Sequence, residues 1–308
     1  MKNQSQLVPS IILFLAAALW GIFWLPLRHI ESAGISGLWA VFAINVVPLT
    51  VLLPVVFYRR RFFSDKLKTK CLVGIGLGGG MAFYAVAILY TTVLQTTLLF
   101  YMSPVWATLL ARVILKEQIN PRRWLAIAVG FAGILLILSG TDTGTVGINL
   151  NRGDLFALLS GLLWGYGTVL VKGSSELPAI DLLPSQYFWA TVISVVLIAT
   201  TIGTQTFRTP DLSQWLSAMP VIVGFFVLIT LPTIFICTRC AQILSPGRVC
   251  LLMMSEVLVA AISAPLFAGE KISVLEWVAG LLILAATLIE VYSNPDPSDK
   301  TTAVNLPD

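Results

Sequence analysis

The chain has 308 residues, of which 57% are apolar and only 11% are charged, and its mean hydropathy is +0.90. Soluble domains carry about 25% charged residues, so a water-soluble fold of this length could not hide so much apolar surface. The net charge of +4 is modest and gives no indication of a nucleic-acid partner. The composition predicts an all-α membrane protein.

The first apolar segment follows Lys2 and superficially resembles a signal peptide. Residues 3–27 carry no charge, which is longer than the apolar core of about 7–15 residues in a signal peptide. We therefore expect an uncleaved first membrane helix at this end of the chain.

A membrane helix needs about 20 mostly apolar residues, and charges, prolines and glycines divide the chain into ten such segments. Thr91-Thr92 is taken to split one long uncharged run. Ser245-Pro246-Gly247 is taken to begin the ninth helix, with Ser245 as its N-cap and proline in its first turn. The predicted segments are 8–28, 35–57, 71–90, 94–115, 122–140, 154–172, 183–204, 214–237, 247–268 and 272–292.

The third segment, CLVGIGLGGGMAFYAVAILY, contains G-x-G-x-x-G, the fingerprint of a dinucleotide-binding turn. That turn needs an acidic residue about 20 positions later, and no charged residue occurs between Lys70 and Arg112. The same glycines have the small-xxx-small spacing that lets helices pack closely in lipid, which we favour. The spaced pairs are Gly74 with Gly78 and Gly76 with Gly80.

Lysine and arginine are expected to concentrate in the cytoplasmic loops. With a cytoplasmic N-terminus and ten spans, all but four of the 19 lysines and arginines fall on the cytoplasmic side. The distribution predicts that both termini are cytoplasmic. The four on the outer side are Arg28, Arg152, Arg208 and Lys271.

The two halves of the chain repeat each other. LAAALWG (15–21) resembles LSGLLWG (159–165), and MSPVWATLLARVILKE (102–117) aligns with SEVLVAAISAPLFAGE (255–270) at an offset of 153. Each repeat has five spans, and because five is odd the second repeat must enter the membrane from the opposite side, as in many secondary transporters. We predict repeats at 1–145 and 146–293, followed by a disordered cytoplasmic tail, 294–308.

These motifs resemble the drug/metabolite transporter superfamily, and specifically its ten-helix EamA-type exporters, over about residues 8–293. The resemblance rests on the Leu-Trp-Gly opening of both repeats, on Ser103-Pro104-Val105, and on the helix ends Lys116-Glu117 and Gly269-Glu270. It implies a bacterial inner-membrane exporter of amino acids or other small metabolites. One departure is Glu256-Val257, where the family often has Glu-Pro, so the kink there is expected to be softer or to come from Pro265.

Glu256 is the leading functional candidate because a carboxylate in the middle of a membrane helix is costly. It could bind the amine of a substrate, couple transport to protons, or form a structural hydrogen bond between helices. Ser103 is its counterpart at the offset of 153 and could supply a hydroxyl to the site or bond to its own helix. Arg248 is expected to extend towards the headgroups at the membrane interface.

Aromatic residues on helices that face the central cavity in similar transporters are candidates for the substrate site, with ordinary packing as the alternative. They are Trp20, Tyr84, Tyr101 and Trp164. A second group of residues is expected to allow close helix packing or hinge motion, namely Gly21, Gly76, Gly78, Gly80, Pro104 and Gly165.

The remaining chemistry argues against other functions. Four cysteines and the single histidine, His29, do not form a zinc motif, and neither G-x-S-x-G nor H-E-x-x-H occurs, so an intramembrane enzyme is disfavoured and no cofactor or metal is expected. A receptor or scaffold would leave the repeat unexplained. An importer or a drug-efflux protein of the same fold stays open. The expected partners are a small-molecule substrate and the lipid bilayer, with a homodimer as one option and no nucleic acid.

Overall fold

Every regular element in the described part of the chain is helical. The structure is a computed structural model that describes residues 4–35, 37–59, 66–91, 96, 99–139, 151–201, 209–268 and 274–292. The predicted tail, 294–308, and the Gly269-Glu270 pair lie outside these residues.

The helices are α1 (Gln4–Ala18), α2 (Trp24–Ser32), α3 (Leu38–Tyr58), α4 (Leu67–Tyr90), α5 (Ser103–Ile114), α6 (Pro121–Ser139), α7 (Arg152–Gly173), α8 (Ala179–Thr201), α9 (Leu212–Val221), α10 (Leu231–Ile243), α11 (Pro246–Met253), α12 (Ser255–Ala268) and α13 (Val274–Tyr292). A 3₁₀ turn, Leu19–Ile22, joins α1 to α2, and a π-helical stretch, Ile222–Thr230, joins α9 to α10.

Six helical segments in the described part of the chain are long and apolar enough to cross a membrane. Large apolar side chains such as Phe57 and Leu266 are exposed on the outside of the bundle, which is the arrangement expected in lipid. The chain is therefore a multi-pass membrane protein. The six segments are Gln6–Ser32, Leu38–Tyr58, Leu67–Tyr90, Arg152–Gly173, Ala179–Thr200 and Leu212–Ile243.

Helix α4 packs closely against α7 through one stripe of its glycines. A Cβ built on Gly76 would lie 2.5 Å from the Cα of Gly167, and one built on Gly80 would lie 3.1 Å from the Cβ of Trp164. No side chain larger than hydrogen fits at Gly76 without moving the backbone of α7. The stripe therefore sets the position of Trp164 relative to α4.

The second glycine stripe of α4 faces α8. A Cβ on Gly78 would overlap the backbone oxygen of Gln186, and a Cβ on Gly74 would overlap Ser185. Ser185 also donates a hydrogen bond from its Oγ to the backbone oxygen of Lys70, at 2.7 Å. The two stripes place α4 between α7 and α8, which are its most extensive neighbours.

Gly78→Ala is expected to lower the free energy of unfolding by about 1–3 kcal/mol, because the added methyl group overpacks the contact with α8. Gly79→Ala is the matched control, since a Cβ there would meet only the side-chain tips of Leu163 and Ile193, at 3.1 and 3.5 Å. We expect the control to be neutral or slightly stabilising, because alanine favours helix over glycine. Steric trapping in bicelles measures both values, and equal losses would contradict the packing role of Gly78.

The far end of α4 is joined to the start of α7 by side-chain hydrogen bonds. Asn151 and Asp154 form a capping box at the N-terminus of α7, which satisfies free backbone N–H groups there. Thr91, directly after α4, donates from its Oγ1 to Asp154 Oδ1 at 3.0 Å. The boundary expected at Thr91 is therefore also a contact between the two sequence repeats.

The start of α11 differs from the sequence prediction in one respect. Pro246 occupies the first turn of the helix as expected, and Ser245 stands at the N-cap position without capping it. The Oγ of Ser245 instead accepts a hydrogen bond from Arg123 Nη2 at 2.7 Å. Arg123 Nε also lies 3.2 Å from Glu290 Oε1. The buried Arg123 side chain therefore joins α6 to α13 by an ion pair and to the start of α11 by a hydrogen bond.

Candidate functional site

Two helices are broken at corresponding positions of the two sequence repeats. A turn at Tyr101 and Met102 precedes α5, and Met254 separates α11 from α12. The offset of 153 residues pairs Tyr101 with Met254. Paired discontinuous helices are typical of substrate and ion sites in secondary transporters, because the unwound backbone groups there can contact a ligand.

The two breaks have different local causes. Pro104 occupies the first turn of α5, where its missing N–H leaves no hydrogen bond unmade. It also cannot bond to the carbonyl of Phe100, four residues earlier, so the helix does not continue unbroken through Tyr101 and Met102. At the second break Met254 N donates to Leu251 O at 3.2 Å, which is a tighter turn than an α-helix makes. Pro265 lies 11 residues beyond this break, within α12, which runs from Ser255 to Ala268.

Glu256 lies in the first turn of α12, and its Oε1 accepts a hydrogen bond from the hydroxyl of Tyr101. Tyr101 is buried and Glu256 is half-buried. The contact joins the broken helix of one repeat to the broken helix of the other. None of the ion pairs formed between described residues involves Glu256. A carboxylate in this setting can take up a proton or bind a cationic group of a ligand.

Phe100 connects the four predicted aromatic residues into one cluster. Its ring centroid lies 4.9 Å from that of Tyr84, 5.5 Å from that of Tyr101 and 6.2 Å from that of Trp164. Trp164 makes an edge-to-face contact with Trp20 at 5.8 Å. The sequence prediction missed Phe100, although its place beside Tyr101, just before a Ser-Pro pair, could have indicated it. The aromatic cluster therefore extends from Tyr101, the hydrogen-bond partner of Glu256, to Trp20.

Trp20 and Trp164 also border a cavity of about 20 Å³. Three polar side chains line it, those of Thr168, Gln186 and Thr238. A volume of this size holds a single water molecule. A larger ligand therefore enters the cavity only when the surrounding helices separate.

Known protein families account for both halves of the chain. The sequence model of the EamA-like transporter family matches residues 8–139 and again residues 151–292. The chain belongs to the EamA-like transporter family. The family model therefore matches the chain twice, and the resemblance to the drug/metabolite transporter superfamily is confirmed.

Several EamA-like relatives are described as transporters. The chain is 29% identical over 97 residues to the uncharacterized transporter YyaM of Bacillus subtilis (strain 168), a match that covers 31% of this chain and 32% of the relative. It is 36% identical over 78 residues to a riboflavin transporter of Rhizobium johnstonii, covering 25% of this chain and 24% of the relative. A third relative, the uncharacterized transporter YoaV of Bacillus subtilis (strain 168), is 24% identical over 159 residues, which are 50% of this chain and 53% of the relative.

These matches span between about a quarter and about half of the relatives' own lengths. A solved crystal structure is similar over more of the chain, with a TM-score of 0.69 and 18% sequence identity, covering 92% of this chain and 96% of that one. The likeness to that structure shows the fold alone. Family and relatives together indicate a transporter rather than an enzyme.

Ser103 occupies a different part of this EamA-like fold from its sequence counterpart. Its side chain is buried, and so is that of Thr168, whose Oγ1 donates to the backbone oxygen of Trp164 at 2.8 Å. A Cβ on Gly165 would lie 3.3 Å from the backbone oxygen of Ser103, so α5 and α7 approach closely here. The hydroxyl that reaches Glu256 is therefore that of Tyr101.

The 3₁₀ turn that carries Trp20 is held against α12. Gly21 is buried, and its backbone oxygen accepts a hydrogen bond from Ser263 Oγ at 3.3 Å. About two turns earlier on α12, Ser255 Oγ donates to the backbone oxygen of Phe14 at 2.8 Å. These two bonds fix the orientation of α1 relative to the helix that carries Glu256.

Arg248 is buried in the bundle, so the expectation that it extends towards the headgroups is wrong. Its Nη2 donates to the backbone oxygen of Val291 at 3.0 Å, and its Nη1 donates to Gln6 Oε1 at 3.3 Å. The guanidinium thus connects α11 to α13 and to α1. Its partners, Gln6 and Val291, lie far from Arg248 in the sequence. The residues around Arg248 therefore did not indicate them.

The cysteines take part in packing. Cys237, Cys240 and Cys250 are buried and free, and they contribute to the apolar cluster that surrounds Trp164. Among the described residues no group of three His, Cys, Asp or Glu side chains is arranged to hold a metal ion.

Proposed function

We propose that this chain is a secondary active transporter that exports amino acids or related small metabolites from the bacterial cytoplasm by alternating access. The observation that carries the proposal is the hydrogen bond between Tyr101 and Glu256. It joins the two broken helices of the repeats and places the carboxylate beside an aromatic cluster.

The proposed topology is ten membrane helices in two inverted five-helix repeats, in the bacterial inner membrane, with both termini in the cytoplasm. Two arguments support it. Fifteen of the 19 lysines and arginines then lie on the cytoplasmic side, and an odd number of spans per repeat requires the second repeat to be inverted. Inversion lets the same two repeats exchange roles when the site opens to the opposite side.

Glu256 is proposed to serve as the coupling carboxylate. When it is ionised it can hold the amine of a substrate, and when it is protonated it releases that amine and carries the proton instead. The two ligands then compete for one group, which is sufficient to exchange protons for substrate. The hydroxyl of Tyr101 provides a hydrogen bond that orients the carboxylate in either state.

The aromatic cluster supports a substrate that carries an apolar or aromatic group. Indole and phenol rings bind flat apolar groups through their faces and bind a cation above them. Aromatic amino acids satisfy this description, with the amine at Glu256. A second candidate is a larger ring compound, which is favoured by the same cluster and by the relative named as a riboflavin transporter. Import, or efflux of drug-like compounds, would use the same architecture.

The test is uptake of labelled compounds into inside-out membrane vesicles that contain the protein, with and without an inward-acidic proton gradient. The panel contains aromatic amino acids, threonine, homoserine and riboflavin, and vesicles without the protein serve as the control. We expect gradient-dependent accumulation of at least one amino acid.

If riboflavin alone accumulates, the substrate is a larger ring compound and not an amino acid. Uptake that appears only in right-side-out vesicles would make the protein an importer. Gradient-independent equilibration would contradict proton coupling, and no uptake of any compound in either vesicle orientation would contradict the proposed substrate class.

A further inference from the structure

We propose that Gln186 and Trp20 form a subsite for a hydrogen-bond-accepting oxygen of the substrate, separate from Glu256. This inference rests on the proposed transport function and adds to it the chemical group at the other end of the ligand. Gln186 is 1% exposed and lines the cavity, and its Nε2 donates to the Sδ of Met81 at 3.2 Å. A thioether sulfur is a weak acceptor, so this buried amide is poorly satisfied in the closed state.

Trp20 presents a second donor at the same cavity. Its Nε1 is buried and contacts no acceptor among the described residues. Buried N–H groups without acceptors are costly and rare in native proteins, and they mark places where a ligand or water supplies the partner. Gln186 on α8, whose amide has a weak acceptor, and Trp20 in the turn after α1, whose N–H has none among the described residues, both line a single cavity.

The backbone positions Gln186 for this role. Gly78 of α4 lies directly against the backbone oxygen of Gln186, so the packing of the second glycine stripe sets where the amide stands. When Met81 is replaced by a ligand oxygen as the acceptor, the amide exchanges a weak hydrogen bond for a strong one. The Gln186 amide can therefore leave Met81 and bind a ligand oxygen at little cost in free energy.

The charge distribution defines which group fits. The cavity lining contains neutral polar side chains, including Thr168 and Thr238. Glu256 lies three residues after Met253, another lining residue, across the break at Met254. A substrate amine is attracted to the carboxylate of Glu256. An acceptor oxygen, either a carboxylate or an amide carbonyl, is directed to Gln186 and Trp20. The ligand class is an apolar or aromatic amine that bears an acceptor oxygen.

The test compares three indole amines: L-tryptophan with a carboxylate, L-tryptophanamide with a neutral carbonyl, and tryptamine with neither. Tryptophanamide and tryptamine carry the same charge when their amines are protonated, so their comparison isolates the acceptor oxygen. Binding to the full chain in nanodiscs is measured by isothermal titration calorimetry. We expect tryptophan or its amide to bind about tenfold more tightly than tryptamine, as one added hydrogen bond predicts. The tighter of these two probes identifies carboxylate or carbonyl as the oxygen.

Gln186→Leu is expected to reduce this tenfold preference to about one while tryptamine binding stays unchanged, and Trp20→Phe to reduce it partly. Met81→Leu tests whether the contact between Gln186 and Met81 is only structural, because it removes the sulfur acceptor and keeps the Gln186 amide. This variant should retain the tenfold preference for the probes with an acceptor oxygen. Gln242→Leu removes another buried glutamine, whose Nε2 donates to Leu177 O at 2.7 Å, and should also retain it.

Three results would overturn the subsite: equal binding of all three probes to the wild type, a preference that survives in Gln186→Leu, or the same loss in Met81→Leu. Failure of every probe to bind the wild type would overturn it as well. The proposed transport function is decided separately by the vesicle panel, since gradient-driven uptake of another substrate would stand even if this subsite did not.

Discussion

We expect Glu256→Gln to lose gradient-driven accumulation of substrate, with a fall of at least about a hundredfold in the initial rate. The substitution keeps the shape of the side chain and the ability to accept a hydrogen bond from Tyr101, but it removes the group that can exchange a proton for an amine. The protein should still fold, because a neutral amide is less costly at this depth than a carboxylate.

Substrate exchange in the absence of a gradient distinguishes the two roles of this carboxylate. If Glu256 only couples transport to protons, Glu256→Gln retains exchange of labelled for unlabelled substrate and loses its response to the gradient. If Glu256 binds the substrate amine, exchange is lost as well. Glu176→Gln is the matched control, since Glu176 forms an exposed ion pair with Lys66 and should transport normally. If Glu256→Gln accumulates substrate as the wild type does, the role of Glu256 is structural.

Tyr101→Phe tests the contact across the repeats without removing the carboxylate. The ring stays in place against Phe100, and only the hydroxyl that donates to Glu256 is lost. A hydrogen bond to a charged group is worth about 1.5–3 kcal/mol, so a reduction of about tenfold or more in the transport rate is expected. If Tyr101→Phe behaves as the wild type, the hydrogen bond does not contribute to transport.

The sequence was sufficient to predict features that depend on local spacing. The two glycine stripes of α4 follow from a period of four residues, and the structure shows them facing α7 and α8. Pro104 indicated the first helix break because proline acts on its immediate neighbours. The duplicated Leu-Trp-Gly motif, which contains Trp20 and Trp164, was visible because the repeat preserves local spacing.

The features that were missed depend on contacts between distant segments. The second break occurs at Met254, two residues before the Glu256-Val257 pair where a softer kink is expected, and no proline near it indicated its position. The π-helical stretch Ile222–Thr230 has no residue preference strong enough to read from one sequence. Gln186 donates a hydrogen bond to Met81, and Arg248 donates one to Val291. These partners lie 105 and 43 positions away in the chain, so the local sequence did not indicate them.

The buried ion pair between Arg123 and Glu290 is expected to give the largest stability effect in the chain. Arg123 is 5% exposed and Glu290 is fully buried, and Arg123 also donates to Ser245. Glu290→Leu leaves a buried guanidinium without its carboxylate, which costs about 3–5 kcal/mol in comparable cases. Steric trapping in bicelles measures the free energy of unfolding, and Lys66→Met in the exposed pair with Glu176 serves as the control, with an expected loss of about 0–1 kcal/mol.

The double variant Arg123→Met/Glu290→Leu separates the value of the pair from the penalty of breaking it. Both charges are then absent, so no ion needs to be buried, and most of the stability lost in Glu290→Leu should return. Full recovery would mean that the pair specifies how α6, α11 and α13 meet rather than how tightly they are held. A double variant as unstable as the single one would instead show that the ions contribute net stability, because the attraction between them then exceeds the cost of taking them out of water.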